Sequence, residues 1–293
     1  MPTLREKKEH GTPLVPVVSY EPWLRNETGF YSSIETHWHD EWEICYIDTG
    51  HIFCTLDGVK YEMSAGDTAF IPGGILHSME PVHGGDWIFK SVLFNSSLLE
   101  LNSDMFSESK YIRRFRSGRN CHATILRGDE TFNSRYLSMY NALANRIPFY
   151  EMTVRAGIFD LTAYWMRQLP ENDESDTLSY GKQQSIVKKT LDTIQMHYKE
   201  KITLAQLAEG ANLSEGYFIR TFRHFVGRTP TDYILNYRLK KAAELLRTTD
   251  QKILTIAYDT GFNNISYFVR SFEKAFQKTP TEYRKCLEKI GLT

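Results

Sequence analysis

The segment Thr36–Glu43 reads THWHDEWE: two histidines stand one residue apart, and a glutamate follows four residues after the second. A further histidine ends the segment 66–77, which reads GDTAFIPGGILH. Imidazole nitrogens and carboxylate oxygens are protein ligands for Zn, Fe, Mn, Ni and Cu, and these residue types do not select one of them. The candidate ligands of a divalent metal are His37, His39, Glu43 and His77.

Two other interpretations of the same residues stay open. Histidines can hydrogen-bond an organic ligand instead of a metal, or they can be only the polar side chains of a strand. Aromatic rings beside polar groups are typical of pockets in which a ring stacks on a sugar. With the two nearby tryptophans included, the candidate effector-binding residues are His37, His39, Glu43, His77, Trp38 and Trp87.

Short segments with alternating apolar residues recur between residues 42 and 94, and they must position these side chains. The segments WEICYID, HIFCTLD, VKYEM, DTAFIP and DWIFKSVLF predict β-strands. Asp57-Gly58 is the dipeptide preferred in a type I′ hairpin. Side chains alternate along a strand, so His37 and His39 are expected on one face. The pattern predicts an antiparallel β-barrel or sandwich over residues 1–95.

The periodicity becomes helical from about residue 96. It is clearest in SRYLSMYNALANRI (134–147) and VRAGIFDLTAYWMRQL (154–169). We interpret residues 96–169 as a helical dimerisation region, with 134–147 as the dimer face. The segment 170–184, PENDESDTLSYGKQQ, is polar, acidic and begins with proline, which is typical of a linker.

An internal repeat organises the rest of the chain. GYFIRTFRHFVGRTPTDYI (216–234) aligns with SYFVRSFEKAFQKTPTEYR (266–284) at an offset of 50 residues. A short helical segment and a turn precede each copy. The repeat therefore predicts two helix-turn-helix units over residues 185–290. The segment 230–249 predicts a connecting helix of about 30 Å, long enough to hold two reading helices one DNA turn apart.

Charge divides the chain in the same way. Residues 1–180 contain 16 Lys+Arg and 25 Asp+Glu, and residues 181–293 contain 19 and 11, so the two parts carry −9 and +8. A basic helical part predicts a polyanionic partner such as double-stranded DNA. The four scattered cysteines indicate reduced thiols. Because no apolar run is long enough for a membrane span and the start does not read as a signal peptide, a cytoplasmic location is expected.

With these motifs, residues 185–290 resemble the paired helix-turn-helix domain of the AraC/XylS family of transcription regulators. The residues that carry the resemblance include Leu207-Ala208, Tyr217-Phe218, Pro230, Ile256-Ala257, Tyr267-Phe268 and Pro280. The resemblance implies two sets of side chains that face the major groove of DNA. They are Gly216, Ile219, Arg220 and Arg223 in the first unit and Ile265, Ser266, Tyr267, Val269 and Arg270 in the second.

The histidine segments resemble the two cupin signatures, His-x-His-x3-Glu-x6-Gly and Gly-x5-Pro-x-Gly-x2-His. The first signature lacks its leading glycine, where Tyr31 stands, and the second ends in Pro81 instead of asparagine. Neither departure touches a candidate ligand. In metal-binding cupins the four side chains converge on one ion, whereas sensor domains of this regulator family often keep the histidines and bind an organic effector.

These observations predict an α+β protein with two domains, an N-terminal cupin-type antiparallel β-barrel (jelly roll) with appended helices and a C-terminal all-α domain. The predicted function is a DNA-binding transcription regulator, not an enzyme, controlled by a small-molecule effector such as a sugar, or by a divalent metal. The resemblance implies RNA polymerase and a second copy of the chain as further partners. The alternative is a metal-dependent cupin enzyme fused to a DNA-binding domain.

Overall fold

The computed structural model describes residues 17–20, 23–24, 33–82, 85–99, 123–169 and 177–289. They belong to two compact units, whose main segments are Ser33–Lys182 and Gln183–Thr293. The predictions for residues 1–16, 100–122 and 170–176 lie outside the described residues. Each unit is described by itself.

The first unit contains two antiparallel sheets. Its strands are β1 (Val17–Tyr20), β2 (Trp23–Leu24), β3 (Ile34–His37), β4 (Trp42–Thr49), β5 (His51–Leu56), β6 (Val59–Ser64), β7 (Thr68–Ile71), β8 (His77–Pro81), β9 (Trp87–Phe94) and β10 (Thr124–Leu126). One sheet has the order β1-β9-β4-β7-β10, with β2 also paired to β9, and the other has the order β3-β8-β5-β6. A 3-10 helix follows β9 at Ser96–Leu99.

Apolar side chains that alternate along the strands fill the space between the two sheets. Cys45 and Ile47 come from β4, Cys54 from β5 and Met79 from β8, and all four are at most 2% exposed. The two cysteines therefore act as apolar filler, as the sequence predicts. The β5–β6 turn has Asp57 at φ 46° and Gly58 at φ 85°. Because a type I′ turn needs two positive φ angles, the predicted hairpin is confirmed.

Two helices, α1 (Glu130–Asn145) and α2 (Tyr150–Gln168), cover the outer face of the first sheet. The ring of Trp165 from α2 stacks on Phe70 of β7 at 4.3 Å and meets Trp42 of β4 edge-on at 5.5 Å. The side chain of Asp129 caps α1 by accepting a hydrogen bond from the Phe132 N–H. The aromatic contacts fix this helix layer on the sheet.

The structure corrects two features of the predicted helical region 96–169. Residues 124–126 form β10, which pairs with β7, and a strand of three residues is too short to show a period in the sequence. Most apolar residues of segment 134–147 face their own sheet and are therefore not available as a dimer face; Ile147, the last residue of the segment, is exposed. The buried residues of the segment include Tyr136, Met139, Tyr140, Ala142 and Leu143.

The second unit is helical. Its helices are α3 (Thr177–His197), α4 (Leu204–Gly210), α5 (Glu215–Val226), α6 (Pro230–Thr248), α7 (Ile253–Asp259), α8 (Ile265–Phe276) and α9 (Pro280–Lys289). The α3 helix begins inside the predicted linker 170–184. The sequence of its first turns, TLSYGKQQ, is polar and resembles a linker in composition. Two helix-turn-helix units follow, α4–α5 and α7–α8, and the predicted α+β architecture with two domains is confirmed.

Helix α6 joins the two helix-turn-helix units and packs against both. Near its start, Tyr233 is buried and meets Phe222 of α5 with ring centroids 5.9 Å apart. Further along, Leu239, Ala242 and Leu246 are buried in the second core, together with Phe268 and Phe272 of α8. With 19 residues it is about 28 Å long. The helix is thus a connecting strut, as the sequence predicts.

Polar caps mark the helix starts. Thr203 and Gln206 form a capping box at α4, as predicted. The Thr229 side chain accepts a hydrogen bond from the Asp232 N–H at α6, with Pro230 in the first turn. Thr279 plays the same part at α9, where it accepts from the Glu282 N–H.

Candidate effector site and DNA-reading helices

The three histidines come together through the pairing of β3 with β8. His37, the last residue of β3, and His77, the first of β8, are partners in this antiparallel pair, so their side chains lie side by side. Their ring centroids are 4.1 Å apart. His39 lies two residues beyond the end of β3, and its ring is 5.7 Å from His37 and 5.0 Å from His77. One nitrogen of each ring lies within 4.8 Å of those of the other two.

Glu43 reaches the same point from the opposite sheet. It is the second residue of β4 and is 6% exposed. Its Oε2 atom lies 3.2 Å from Nε2 of His39 and 3.2 Å from Nε2 of His77. Its Oε1 atom accepts a hydrogen bond from the Ser91 hydroxyl of β9. Ser91 was not predicted, although it is the one small polar residue in the strand sequence WIFKSVLF.

Backbone carbonyls fix the orientation of all three rings. The Nδ1 atoms of His37, His39 and His77 lie 2.9, 2.9 and 2.8 Å from the carbonyl oxygens of Glu35, Glu41 and Ile75. A carbonyl oxygen only accepts hydrogen bonds, so each Nδ1 carries a proton. In a neutral ring the lone pair is then on Nε2. Carbonyls that accept a hydrogen bond from the other ring nitrogen orient metal-binding histidines in proteins.

Electrostatics set different proton states within the cluster. Burial and the neighbouring His77 and His39 lower the pKa of His37 well below its usual range, so this ring is neutral. Burial alone would raise the pKa of Glu43, but the hydrogen bond from His39 and the close contact of His77 hold it well below its usual range. Burial alone would lower the pKa of His39, but the hydrogen bond with Glu43 and its charge raise it. The cluster thus holds a carboxylate anion.

Two features of the cluster fit a metal ion: the types of its donor atoms, and one buried nitrogen to which no hydrogen bond is assigned. A proton on His39 can bridge that ring and Glu43, but Nε2 of His77 has no hydrogen-bond partner among the described residues. Three imidazole nitrogens and one carboxylate suit a divalent transition metal. The residues that would hold it are His37, His39, His77 and Glu43.

The two predicted tryptophans lie in different places. Trp38 stands in sequence between His37 and His39 and is half-buried. Trp87 begins β9, is 1% exposed and stacks on Phe89 with centroids 5.1 Å apart. It is four residues from Ser91, about 13 Å along the strand. The structure therefore brings the four candidate ligands together, and it places Trp87 in the core away from them.

The candidate DNA-reading helix of the first helix-turn-helix unit, α5, is strongly amphipathic. Phe218 and Phe222 are fully buried. Gly216, Arg220 and Arg223 are exposed on the other side, and Ile219 is half-buried at its margin. The predicted groove-facing residues therefore share one accessible face.

Helix α8 repeats this arrangement in the second helix-turn-helix unit. Phe268 and Phe272 are fully buried. Of the predicted groove-facing residues, Ser266, Tyr267 and Arg270 are exposed, and Ile265 and Val269 are half-buried. Glu273 is exposed at the position that Arg223 occupies in α5. The two faces thus match in shape and differ in charge.

Two neighbours of Arg220 were not predicted. Its guanidinium lies 5.9 Å from the ring centroid of Tyr217, one helical turn away. The Tyr217 hydroxyl in turn accepts a hydrogen bond of 2.8 Å from Nε2 of Gln183 on α3. This exposed chain of contacts restricts the positions open to Arg220. Only the chain's folding brings Gln183 to this place, so no local sequence signal marks it.

The described helices include none that is both long and apolar enough to cross a membrane.

Comparison with known proteins agrees with this division. The family model described as an AraC-like ligand binding domain matches residues 30–145, and a helix-turn-helix domain model matches residues 207–286. An uncharacterized HTH-type transcriptional regulator YdeC of Bacillus subtilis is 28% identical over 291 residues, which is 96% of each chain. The Msm operon regulatory protein of Streptococcus mutans is 24% identical over 250 residues, 84% of each chain.

Several solved structures each cover about a third of this chain, and one of them illustrates the match. The C-terminal domain of the response regulator yesN from Fusobacterium nucleatum is 37% identical, covers 33% of this chain and 95% of its own, and has a TM-score of 0.32. The chain is a transcription regulator that combines a ligand-binding domain with a helix-turn-helix DNA-binding domain. This combination of domains is consistent with the AraC/XylS family of transcription regulators.

Proposed function

We propose that this regulator binds a divalent transition-metal ion between His37, His39, His77 and Glu43, and that occupancy of this site controls binding of double-stranded DNA by α5 and α8. The observation that carries the proposal is the orientation of the rings. Carbonyls hold the three Nδ1 protons, and the Nε2 atoms of His39 and His77 face a buried carboxylate.

A cation is needed where these atoms meet. Lone pairs on two nitrogens and a carboxylate oxygen repel one another in a buried site, where water does not screen them. A proton on His39 relieves one contact, that with Glu43. The Nε2 atom of His77 lies 3.2 Å from the same carboxylate oxygen, and a second cation is required for that contact. A single metal ion would accept all of these lone pairs at once and supply positive charge for Glu43.

An organic effector such as a sugar is the second candidate, and the buried polar groups of the cluster favour it. Three imidazoles and one carboxylate are hydrogen-bonding groups that suit the hydroxyls of a sugar. A ligand of this kind would use the histidines as hydrogen-bonding groups, with or without the metal.

Elemental analysis of purified, tag-free protein tests the metal proposal. We expect about one transition-metal ion per chain in the wild type and none in His37→Ala. His51→Ala is the matched control, because His51 is an exposed histidine of the same domain that pairs with Glu62. It should keep the metal. A wild-type protein that holds no metal and fails to bind added Zn²⁺ or Ni²⁺ would contradict the proposal and favour the organic effector.

The proposal includes a homodimer and contact with RNA polymerase at a promoter. The exposed apolar residues Ile147, Phe149 and Met152 adjoin the turn between α1 and α2, with exposed fractions of 44%, 76% and 73%. Phe149 also has a left-handed φ of 62°, which is uncommon for an aromatic residue. A second copy covering this patch would bury it. Light scattering at micromolar concentration should give a dimer that Phe149→Asp converts to a monomer; a wild-type monomer would remove this part.

A further inference from the structure

The strand β4 has the effector site on one face and the helix layer on the other. Glu43 points inward to the histidines. Its two neighbours contact the helices: Trp42 packs edge-on against Trp165 of α2, and the carbonyl of Ile44 accepts a hydrogen bond from the Tyr136 hydroxyl of α1 at 3.1 Å. A shift of Glu43 along or across the strand therefore changes the surface on which both helices rest.

The Tyr136 hydroxyl contacts the second strand of the site as well. It lies 2.7 Å from the carbonyl oxygen of Lys90, the residue before Ser91. Ser91 is the residue whose hydroxyl donates to Glu43. One side chain of α1 thus touches the backbone beside Glu43 and the backbone beside its hydrogen-bond partner.

The surroundings of Tyr136 make it a defined contact. Its side chain is fully buried, and burial raises the pKa of its hydroxyl well above the usual value, so the group remains a hydrogen-bond donor. A hydroxyl has one proton to donate. It can therefore favour the Lys90 carbonyl or the Ile44 carbonyl, and the balance depends on the relative position of β4 and β9.

We infer that Tyr136 is the positioning residue that passes occupancy of the histidine–glutamate site on to helix α1. This inference rests on the proposed function. A cation bound by the histidines attracts the Glu43 carboxylate and changes its sharing with Ser91. The sheet and the helix layer are close-packed, so a displacement of Glu43 relative to Ser91 also moves the backbone of β4 and β9 on the face of the sheet that carries the helices. There the Tyr136 hydroxyl contacts both strands. The shared hydroxyl is the bistable element that such coupling requires.

A second anchor of α1 serves as the control. Asn133 accepts a hydrogen bond from the Thr68 hydroxyl at 2.8 Å and donates one to the Gly66 carbonyl at 2.7 Å. These contacts lie at the start of β7 and involve neither Glu43 nor Ser91. Thr68→Val removes a buried hydrogen bond to the same helix without touching the proposed route.

The test is hydrogen–deuterium exchange of the α1 amides in metal-free protein, for Glu43→Gln, Tyr136→Phe and the double variant. We expect Glu43→Gln to change α1 exchange several-fold in the wild-type background and by less than twofold in the Tyr136→Phe background. In the Thr68→Val background the full effect of Glu43→Gln should remain. Effects of Glu43→Gln that are equal with and without the Tyr136 hydroxyl would overturn the inference.

Zn²⁺ separates this inference from the metal proposal. Bound Zn²⁺ should alter α1 exchange in the wild type and not in Tyr136→Phe, with elemental analysis showing equal zinc in both. If the wild type binds no zinc, the metal proposal fails and the substitution cycle still decides the role of Tyr136. If Tyr136→Phe does not fold, the single Glu43→Gln variant decides: unchanged α1 exchange overturns the inference, and a several-fold change confined to α1 supports it.

Discussion

The two helix-turn-helix units have nearly the same interior and different surfaces. Phe218 and Phe222 in α5 and Phe268 and Phe272 in α8 are all fully buried at matching positions. On the exposed side, α5 presents Arg223 where α8 presents Glu273. The shared interior explains why the repeat is visible in the sequence. From the different surfaces we expect the two helix-turn-helix units to bind DNA unequally, with the first contributing more affinity.

The turns of the two units also differ. Four residues separate α4 from α5, and five separate α7 from α8. Both turns contain a left-handed residue, Asn212 at φ 54° in the first and Gly261 at φ 87° in the second. A Cβ at Gly261 would lie 2.6 Å from the carbonyl oxygen of Tyr198. Position 261 in the second turn therefore requires glycine, because the backbone after α3 approaches it closely.

The largest expected effect tests the shared interior. Phe222→Ala and Phe272→Ala should each lower the free energy of unfolding by about 3–5 kcal/mol, because each removes a fully buried aromatic ring. Urea unfolding followed by circular dichroism measures both. Losses that differ by more than about 2 kcal/mol, the full width of the expected range, would show that the two cores are not equivalent.

A somewhat smaller effect tests the turns. Gly261→Ala should cost roughly 2–4 kcal/mol, since the new Cβ meets backbone and the φ angle is left-handed. Asn212→Gly in the first turn should change stability by less than about 0.5 kcal/mol, because glycine adopts this φ freely. Thermal unfolding of the two variants measures the contrast. A tolerated Gly261→Ala would mean that the Tyr198 backbone moves away at little cost.

The sequence predicts the repeated units well because their signals are local. Helical period, caps and the offset of 50 residues all lie within short windows. The effector site is only partly predictable. His37 and His77 become neighbours through strand pairing over 40 residues, and β3 ends before His39, so the expectation that both histidines lie on one strand is corrected. Ser91 and Gln183 have no local signal, because their partners come from distant parts of the chain.

The third prediction concerns unequal reading of DNA. Arg220→Ala should weaken binding to a site selected from random DNA by about 1–3 kcal/mol and relax one base position. Arg270→Ala should cost less than about 1 kcal/mol, since the carboxylate of Glu273, three residues on along the same exposed face, competes for the guanidinium. Gel-shift titrations against the selected site and its single-base variants measure both. An equal loss for every sequence would make Arg220 a phosphate contact.

The smallest effect comes from restoring the charge of the second unit. Glu273→Arg should strengthen binding to all DNA sequences alike by less than about 1 kcal/mol and steepen the salt dependence by about one unit, as expected for one added phosphate contact. Glu215→Arg, at the exposed start of α5, is the comparison variant with the same change in charge. Unchanged affinity and salt slope in Glu273→Arg would place residue 273 away from the DNA backbone.

The central claim is that the buried histidine–glutamate site controls the exposed reading helices, and one measurement tests it most directly. The affinity of the full-length protein for its selected DNA site should be determined with the bound metal present and after removal by a chelator, at fixed salt. We predict a change of about 5- to 150-fold in the wild type, the usual range of coupling between two sites, and no change in His37→Ala. Equal affinity in both states of a wild-type protein that demonstrably binds the metal would contradict the account.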